Sequence, residues 1–231
     1  MISRAFIMVI LGLNMGMTQR SIDERWEAQL EQYVSISGSI NYADWKKEAH
    51  GVQAYLSALE NHPPQPYWTL TDRKAYWTNV YNAATISLVL QYYPLSSMQE
   101  IDARWETPVF CWSGRSLSLK TIEELLLEMQ DPRILFALHR ASVSSPSLSR
   151  KAYHGPTLEE QLEAATIKFL TYPSLNLFEE GTLLLSMIFH WYKDDFGTAE
   201  ERLALLKKYI CKDIDQKTEI NYLPFDWRLN E

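Results

Sequence analysis

The chain has 231 residues, nearly half of them apolar, and it carries eight Trp and thirteen Tyr. That suffices for a large core, and aromatic side chains in such number line pockets as well as cores. A formal net charge of −7 without a basic run excludes nucleic acid and anionic membranes as partners, and two cysteines far apart with scattered histidines exclude a structural zinc site.

The N-terminus has one positive charge, Arg4, and an apolar run from Ala5 to Met17 broken only by Asn14. This matches the first two regions of a secretory signal peptide and is too short to span a bilayer. No Ala-x-Ala site follows, so residues 1–19 are a signal peptide or an uncleaved N-terminal anchor. Residues 20–231 then form one exported domain, periplasmic or extracellular, with no further transmembrane segment. Export would permit a Cys111–Cys211 disulfide; two free thiols are the alternative.

Apolar residues at 22, 26, 30 and 33 predict a first amphipathic helix, ended by Gly38-Ser39. A second helix is predicted from Asn41 or Tyr42 to about Leu59, packing through Trp45, Val52, Leu56 and Leu59. His62-Pro63-Pro64-Gln65-Pro66 cannot be helical and reads as an extended connector. Next comes the central helix, Ala75 to Leu90, with an N-cap at Thr71-Asp72 and a stripe of Trp77, Val80, Tyr81, Ala84 and Leu88. It stops at Pro94. Two asparagines, Asn79 and Asn82, lie close to this stripe, where an unpaired amide would be costly. They are either a polar clamp on a neighbouring loop or amides that orient a ligand.

Residues 108–112 and 116–119 flank Ser113-Gly114-Arg115 as a short hairpin. Thr121 to Leu127 is a short helix, Ile134 to Leu138 a buried apolar run, and Ser142 to Ser149 a serine-rich loop. Residues 157–171 are predicted as a helix with a Thr157/Glu160 capping box. A second hairpin joins 176–178 to 182–185 around Glu179-Glu180-Gly181. A short aromatic helix from Met187 to Phe196, a helix from Glu200 to Ile210 and a strand at Ile220–Leu223 complete the chain. Interleaved helices and hairpins without a repeat or long linker point to α+β: a helix-rich single domain with short antiparallel hairpins.

The polar candidates come from separate segments. Asn79, Asn82, Glu123, Arg133 and the 142–146 loop, with Ser142 and Ser145, are expected to build one polar cleft. Arg133 needs a buried partner, either Glu123 or Asp195. Ser145 as nucleophile would need a base: His139 lies six residues upstream and His154 nine downstream. No Gly-x-Ser-x-Gly elbow surrounds it, and serines before proline are commonly turn residues. Asp194-Asp195 does not form a shared site, because adjacent helical residues point about 100° apart. Trp191-Tyr192 and Phe225-x-Trp227 are read mostly as core.

In order along the chain, Tyr76-Trp77-x-Asn79-x-Tyr81-Asn82-Ala83, Ile122-Glu123, Asp131-Pro132-Arg133-Ile134, Phe136-Ala137-Leu138 and Ser145-Pro146 form a set of landmarks. Leu185-Ser186-x-Ile188-Phe189-x-Trp191-Tyr192-x-x-Asp195-Phe196 and Tyr222-x-x-Phe225-Asp226-Trp227-x-Leu229-Asn230 continue it. Together they resemble the domain of unknown function family numbered 547, which has exported bacterial members and plant members, from roughly Asn41 to Asn230. The resemblance implies no established reaction. Many bacterial relatives carry His and Cys where this chain has Leu135 and Arg140, and a Ser-Cys-Pro cysteine where it has Ser145. A further His follows the Ile-Glu pair in relatives, where Glu124 stands here. A thiol nucleophile needs a thiolate and a base, and neither stands at the matching positions.

Two functions follow as expectations. The first is an exported binding or scaffold domain without cofactor, whose Arg140 meets a small anionic or peptide-like ligand. The second is a hydrolase or transferase acting on peptide or acyl bonds through the Ser145 loop.

Overall fold

The computed structural model of the protein describes residues 21–179, 181–210, 214 and 218–231. The predicted leader, Glu180 and Cys211 lie outside the described residues; Cys111 is an exposed free thiol. Among the described residues no helix is long and apolar enough to cross a membrane. The fold is α+β, with helices α1 (residues 21–33), α2 (Tyr42–Lys47), α3 (His50–Asn61), α4 (Leu70–Tyr92), α5 (Leu119–Leu127), α6 (Leu158–Thr171), α7 (Ile188–Trp191) and α8 (Ala199–Tyr209). Strands β1 (Pro108–Trp112) and β2 (Arg115–Ser118) make one antiparallel hairpin, and β3 (Leu177–Glu179) and β4 (Thr182–Ser186) a second.

Everything is arranged about α4. Its sequence reads as a stripe, yet from Lys74 to Leu90 every residue but Ser87 is buried. A helix without a solvent face must be covered all round. Here α2, α3 and β1 cover part of it, and α5, α6 and the turn at Gly155–Thr157 the rest. Its N-cap is Thr69 rather than Thr71-Asp72. The Thr69 side chain accepts from the Asp72 N–H while the Asp72 carboxylate accepts from the Thr69 N–H, a closed capping box.

Other elements differ from the prediction in instructive ways. The expected 42–59 helix is two helices, α2 and α3, broken around Glu48-Ala49. The turn of the first hairpin is two residues, Ser113 and Gly114, both at positive φ, which matches the twist of the paired strands. Thr157 caps α6 without a side-chain bond to the backbone, so the predicted capping box does not form. The aromatic helix is one turn, α7, and the chain leaves helical geometry at Tyr192. The second hairpin is extended by β5 (Glu219–Leu223), which joins β4 in parallel, so the three-stranded sheet is mixed.

Aromatic rings join the layers. Trp26 stacks on Tyr55 at 5.0 Å and Tyr33 on Trp45 at 5.1 Å, fixing α1 against α2 and α3. Phe136 stacks on Phe169 at 4.7 Å and Phe196 at 5.5 Å, tying the 132–136 turn to α6 and to the segment after α7. Each such pair contributes about 0.5–1.5 kcal/mol beyond burial of its area.

Residues 226–230 cross the molecule and bond to three separate segments. Val143 and Ser144 N–H donate to the Arg228 and Asp226 carbonyls, and Leu229 N–H donates to the Ser96 carbonyl. The Asn230 carbonyl accepts from Ile40 N–H, and its amide bridges the Tyr42 hydroxyl and the Gly38 carbonyl.

Candidate functional site

The 137–146 segment carries His139, Arg140, Ser142 and Ser145 and is held to α4 by Asn82, while Asn79 holds the chain farther on at Tyr153. Asn82 accepts from the His139 N–H at 2.9 Å and donates to the Ala137 carbonyl at 3.0 Å. Three residues earlier, Asn79 accepts from the Tyr153 N–H at 2.8 Å and donates to the Tyr153 carbonyl at 2.9 Å. Each amide thereby imitates a strand neighbour for an irregular segment whose buried backbone groups need partners. Both side chains are buried, so the clamp is their geometry and neither amide faces an open cleft.

Arg140 is 2 % exposed. Its guanidinium donates to Glu123 Oε2 at 2.7 Å, the Tyr192 hydroxyl at 3.1 Å and the Leu138 carbonyl at 3.2 Å. Tyr192 in turn donates to Glu123 Oε1, and its ring lies 5.3 Å from the guanidinium carbon. Burial opposes the Arg140 charge, but the surrounding Tyr192 and Glu123 oxygens hold its pKa above the ordinary arginine value. Burial likewise pushes the Tyr192 phenol up to about 12. The charge expected to meet a ligand is therefore engaged internally, joining α5, the 137–146 segment and the end of α7.

Arg133 does not pair with Glu123 or Asp195. It forks onto Asp131, with Nε at 3.0 Å from Oδ1 and Nη2 at 3.0 Å from Oδ2, and reaches Glu159 on α6. Lys74 of α4 completes this cluster, 3.1 Å from Asp131. Asp195 is exposed. The predicted single cleft is thus two polar clusters, one around Arg140 and one around Arg133.

Ser145 and His139 do meet, at 3.3 Å between Oγ and Nδ1. The proton positions decide what this contact can do. His139 Nδ1 lies 2.8 Å from the Pro146 carbonyl oxygen, which can only accept, so Nδ1 carries the proton. It cannot take a proton from Ser145, as a general base would. The Ser145 hydroxyl accepts the Arg140 N–H at 2.6 Å and lies 3.1 Å from the Pro146 carbonyl, binding the loop to itself. Ser142 contributes its carbonyl to the Ser145 N–H, and its own hydroxyl is buried without a hydrogen bond. His154, the other candidate base, stands apart from Ser145, 3.5 Å from Asp23 and 3.3 Å from Glu27 of α1.

His139 is fully buried, and burial, reinforced by the Arg140 charge, lowers its pKa to about 4. The unfolded chain binds a proton near pH 6.5 that the folded chain refuses until about pH 4. This contribution is complete above the unfolded value and is lost as pH falls through that window, to a total of about 3 kcal/mol. Urea denaturation at pH 7 and pH 4.5 should show that loss, and His139→Asn, which keeps a donor for the Pro146 carbonyl, should reduce it. An equal pH dependence in both proteins would show that His139 is not the group responsible.

Tyr192 is the member of the Arg140 cluster that sequence reasoning missed. It stands in an aromatic block that reads as core, and no local spacing ties residue 192 to residues 123 and 140. Its neighbour Trp191 is 41 % exposed, so that block is core only in part. Trp191 stacks on Trp227 at 5.7 Å and meets Phe225 at 4.9 Å. Among the described residues no group of three or more His, Cys, Asp or Glu is placed to hold a metal ion.

No curated protein and no solved structure matches the chain. Residues 67–170, which carry α4, the two asparagine clamps and the whole 131–146 segment, match the model of the family described as Protein of unknown function, DUF547, and the resemblance rests on that shared stretch.

Proposed function

We propose that this chain is a binding domain, exported from the cytoplasm, that holds a small anionic or peptide-like ligand and does not turn it over. One observation carries the lack of turnover in this reading: His139 Nδ1 keeps its proton and donates it to the Pro146 carbonyl, so the serine beside it has no base. Arg140 supports the same view. At the position where the resemblance puts a cysteine in many bacterial relatives, it forms an ion pair with Glu123 inside the protein, a structural use of that position. The Arg140 charge is not free for a ligand, so binding belongs to an open part of the surface.

The second reading, a serine-dependent hydrolase or transferase, draws on the 3.3 Å contact itself. A fluorophosphonate probe and a panel of ester and amide substrates separate the two. The expected result is no labelling and no turnover above a Ser145→Ala control of matching circular dichroism. Labelling or turnover that Ser145→Ala abolishes would make this an enzyme.

Export rests on the apolar run from Ala5 to Met17 behind Arg4. The protein should be recovered outside the cytoplasm with an N-terminus near residues 17–20, or membrane-bound through an uncleaved leader. Intact Met1 on a soluble cytoplasmic protein would refute it.

A further inference from the structure

We infer that His154 is a pH-operated clasp: its imidazolium fastens the start of α1 to the body of the domain, and loss of its proton lets that end of the helix loosen. The clasp is independent of ligand binding and of Ser145. Asp23 and Glu27 stand four residues apart in α1 and so share one face. His154 sits against that face, with Nδ1 3.5 Å from Asp23 Oδ2 and Nε2 3.3 Å from Glu27 Oε1. Each ring nitrogen thus has its own carboxylate. An imidazolium presents an N–H to both, whereas a neutral imidazole has one N–H and must turn a lone pair toward the other carboxylate oxygen. The geometry fits the charged ring and works against the neutral one.

The surroundings make that difference count. Asp23 is 2 % exposed, and a carboxylate so deeply buried needs partners. The Tyr55 hydroxyl of α3 donates to its Oδ1 at 2.8 Å. Burial first, and then the Asp23 charge, hold the Tyr55 phenol well above its ordinary pKa, so that bond persists whatever His154 does. Glu27 Oε1 also accepts the Ala152 N–H at 3.1 Å. On the other side His154 is fixed in place: its N–H donates to Gln161 Oε1 of α6 at 2.9 Å, and Asn79 holds Tyr153 beside it. Asp72 of α4 packs against the next residue, Gly155. Of all these groups His154 alone can carry positive charge, against the carboxylates of Asp23, Glu27 and Asp72.

The Asp23 carboxylate does most to hold the His154 pKa above the ordinary histidine value, with Glu27 adding to it and burial opposing. The clasp is therefore complete below the unfolded value near pH 6.5 and is lost as pH rises through the higher folded one. His139, held down to about 4, does not titrate in that window. Opening is confined to the start of the helix, because Trp26 stacks on Tyr55 and the Trp45 indole donates to Gln29 at 3.3 Å, contacts that do not depend on the His154 proton.

Amide exchange in the full chain tests the clasp at Arg25, Trp26 and Glu27, whose N–H groups close the first turn of α1 onto residues 21–23. After correction for intrinsic rates, protection there should fall about threefold or more between about pH 6 and about pH 9. His154→Gln, which keeps one donor but no charge, should show the low protection at both pH values. Glu27→Gln keeps an acceptor for the Ala152 N–H and should move the His154 ring titration, followed by NMR, to lower pH. Wild-type protection that ignores pH, an unchanged transition in His154→Gln, or a ring titration that Glu27→Gln leaves unmoved would each overturn the inference. So would a His154 ring that titrates at or below the ordinary histidine value.

Discussion

Replacing Asn82 with leucine should destabilise the protein by about 3 kcal/mol or more in urea denaturation. The side chain is buried and serves two backbone groups, the His139 N–H and the Ala137 carbonyl. Leucine fills similar space but bonds neither, and each buried group left unpaired costs about 1–3 kcal/mol. Asn79→Leu should behave alike, because it strands the N–H and carbonyl of Tyr153 together. The clamp reading predicts more than a loss of stability: amide exchange at His139 should accelerate in the first variant and at Tyr153 in the second. Two nearly neutral substitutions would mean that neither asparagine holds these segments.

A second large effect is expected at the Arg140–Glu123 pair. Glu123→Ala should cost about 3–5 kcal/mol, because it leaves a guanidinium in a buried site without its carboxylate. Much of that loss reflects an uncompensated charge rather than the worth of the pair. Exchanging both partners, Glu123→Leu with Arg140→Met, should therefore recover most of the stability. The Tyr192 hydroxyl, 3.1 Å from Arg140 Nη2, is a neutral acceptor, so it does not replace the missing carboxylate. Strict additivity of the two single changes in this cycle would show that the residues do not interact energetically.

The sequence told where helices and hairpins lie but less about what faces what. Asn79 and Asn82 were legible as buried and partnered because an unpaired amide beside an apolar stripe is too costly to tolerate. Their partners were not, since Tyr153 and Ala137 offer only backbone groups, which leave no mark on composition. Burial of α4 on all sides was hidden for a related reason: Thr78, Asn79, Asn82 and Thr85 interrupt the apolar pattern, yet their polar groups are taken inside. Thr78, for example, donates to the Lys74 carbonyl at 2.7 Å. Arg133 reads as paired from its apolar surroundings, but the sequence does not choose between Asp131, two residues away, and the distant acids Glu123 and Asp195. The Arg140 cluster joins three segments separated by many residues, and a single sequence gives no register between them.

The crossing made by residues 226–230 has a consequence for how the molecule is assembled during synthesis. The Asp226 and Arg228 carbonyls partner Ser144 and Val143, while Asn230 bonds to Gly38, Ile40 and Tyr42 near the start of the described chain. A ribosome makes those partners in the opposite order from their need. Gly38 and Tyr42 emerge first and must wait for a residue more than 180 positions later, as the separations of 192 and 188 residues record. The loop that bears His139 and Ser145 is likewise incomplete until residues 226–228 leave the exit tunnel. Closure of such long loops is slow because their entropy must be surrendered before any contact repays it. The contacts at Gly38, Tyr42, Val143 and Ser144 therefore form only after residues 226–230 have emerged, and that segment closes the longest loops described above.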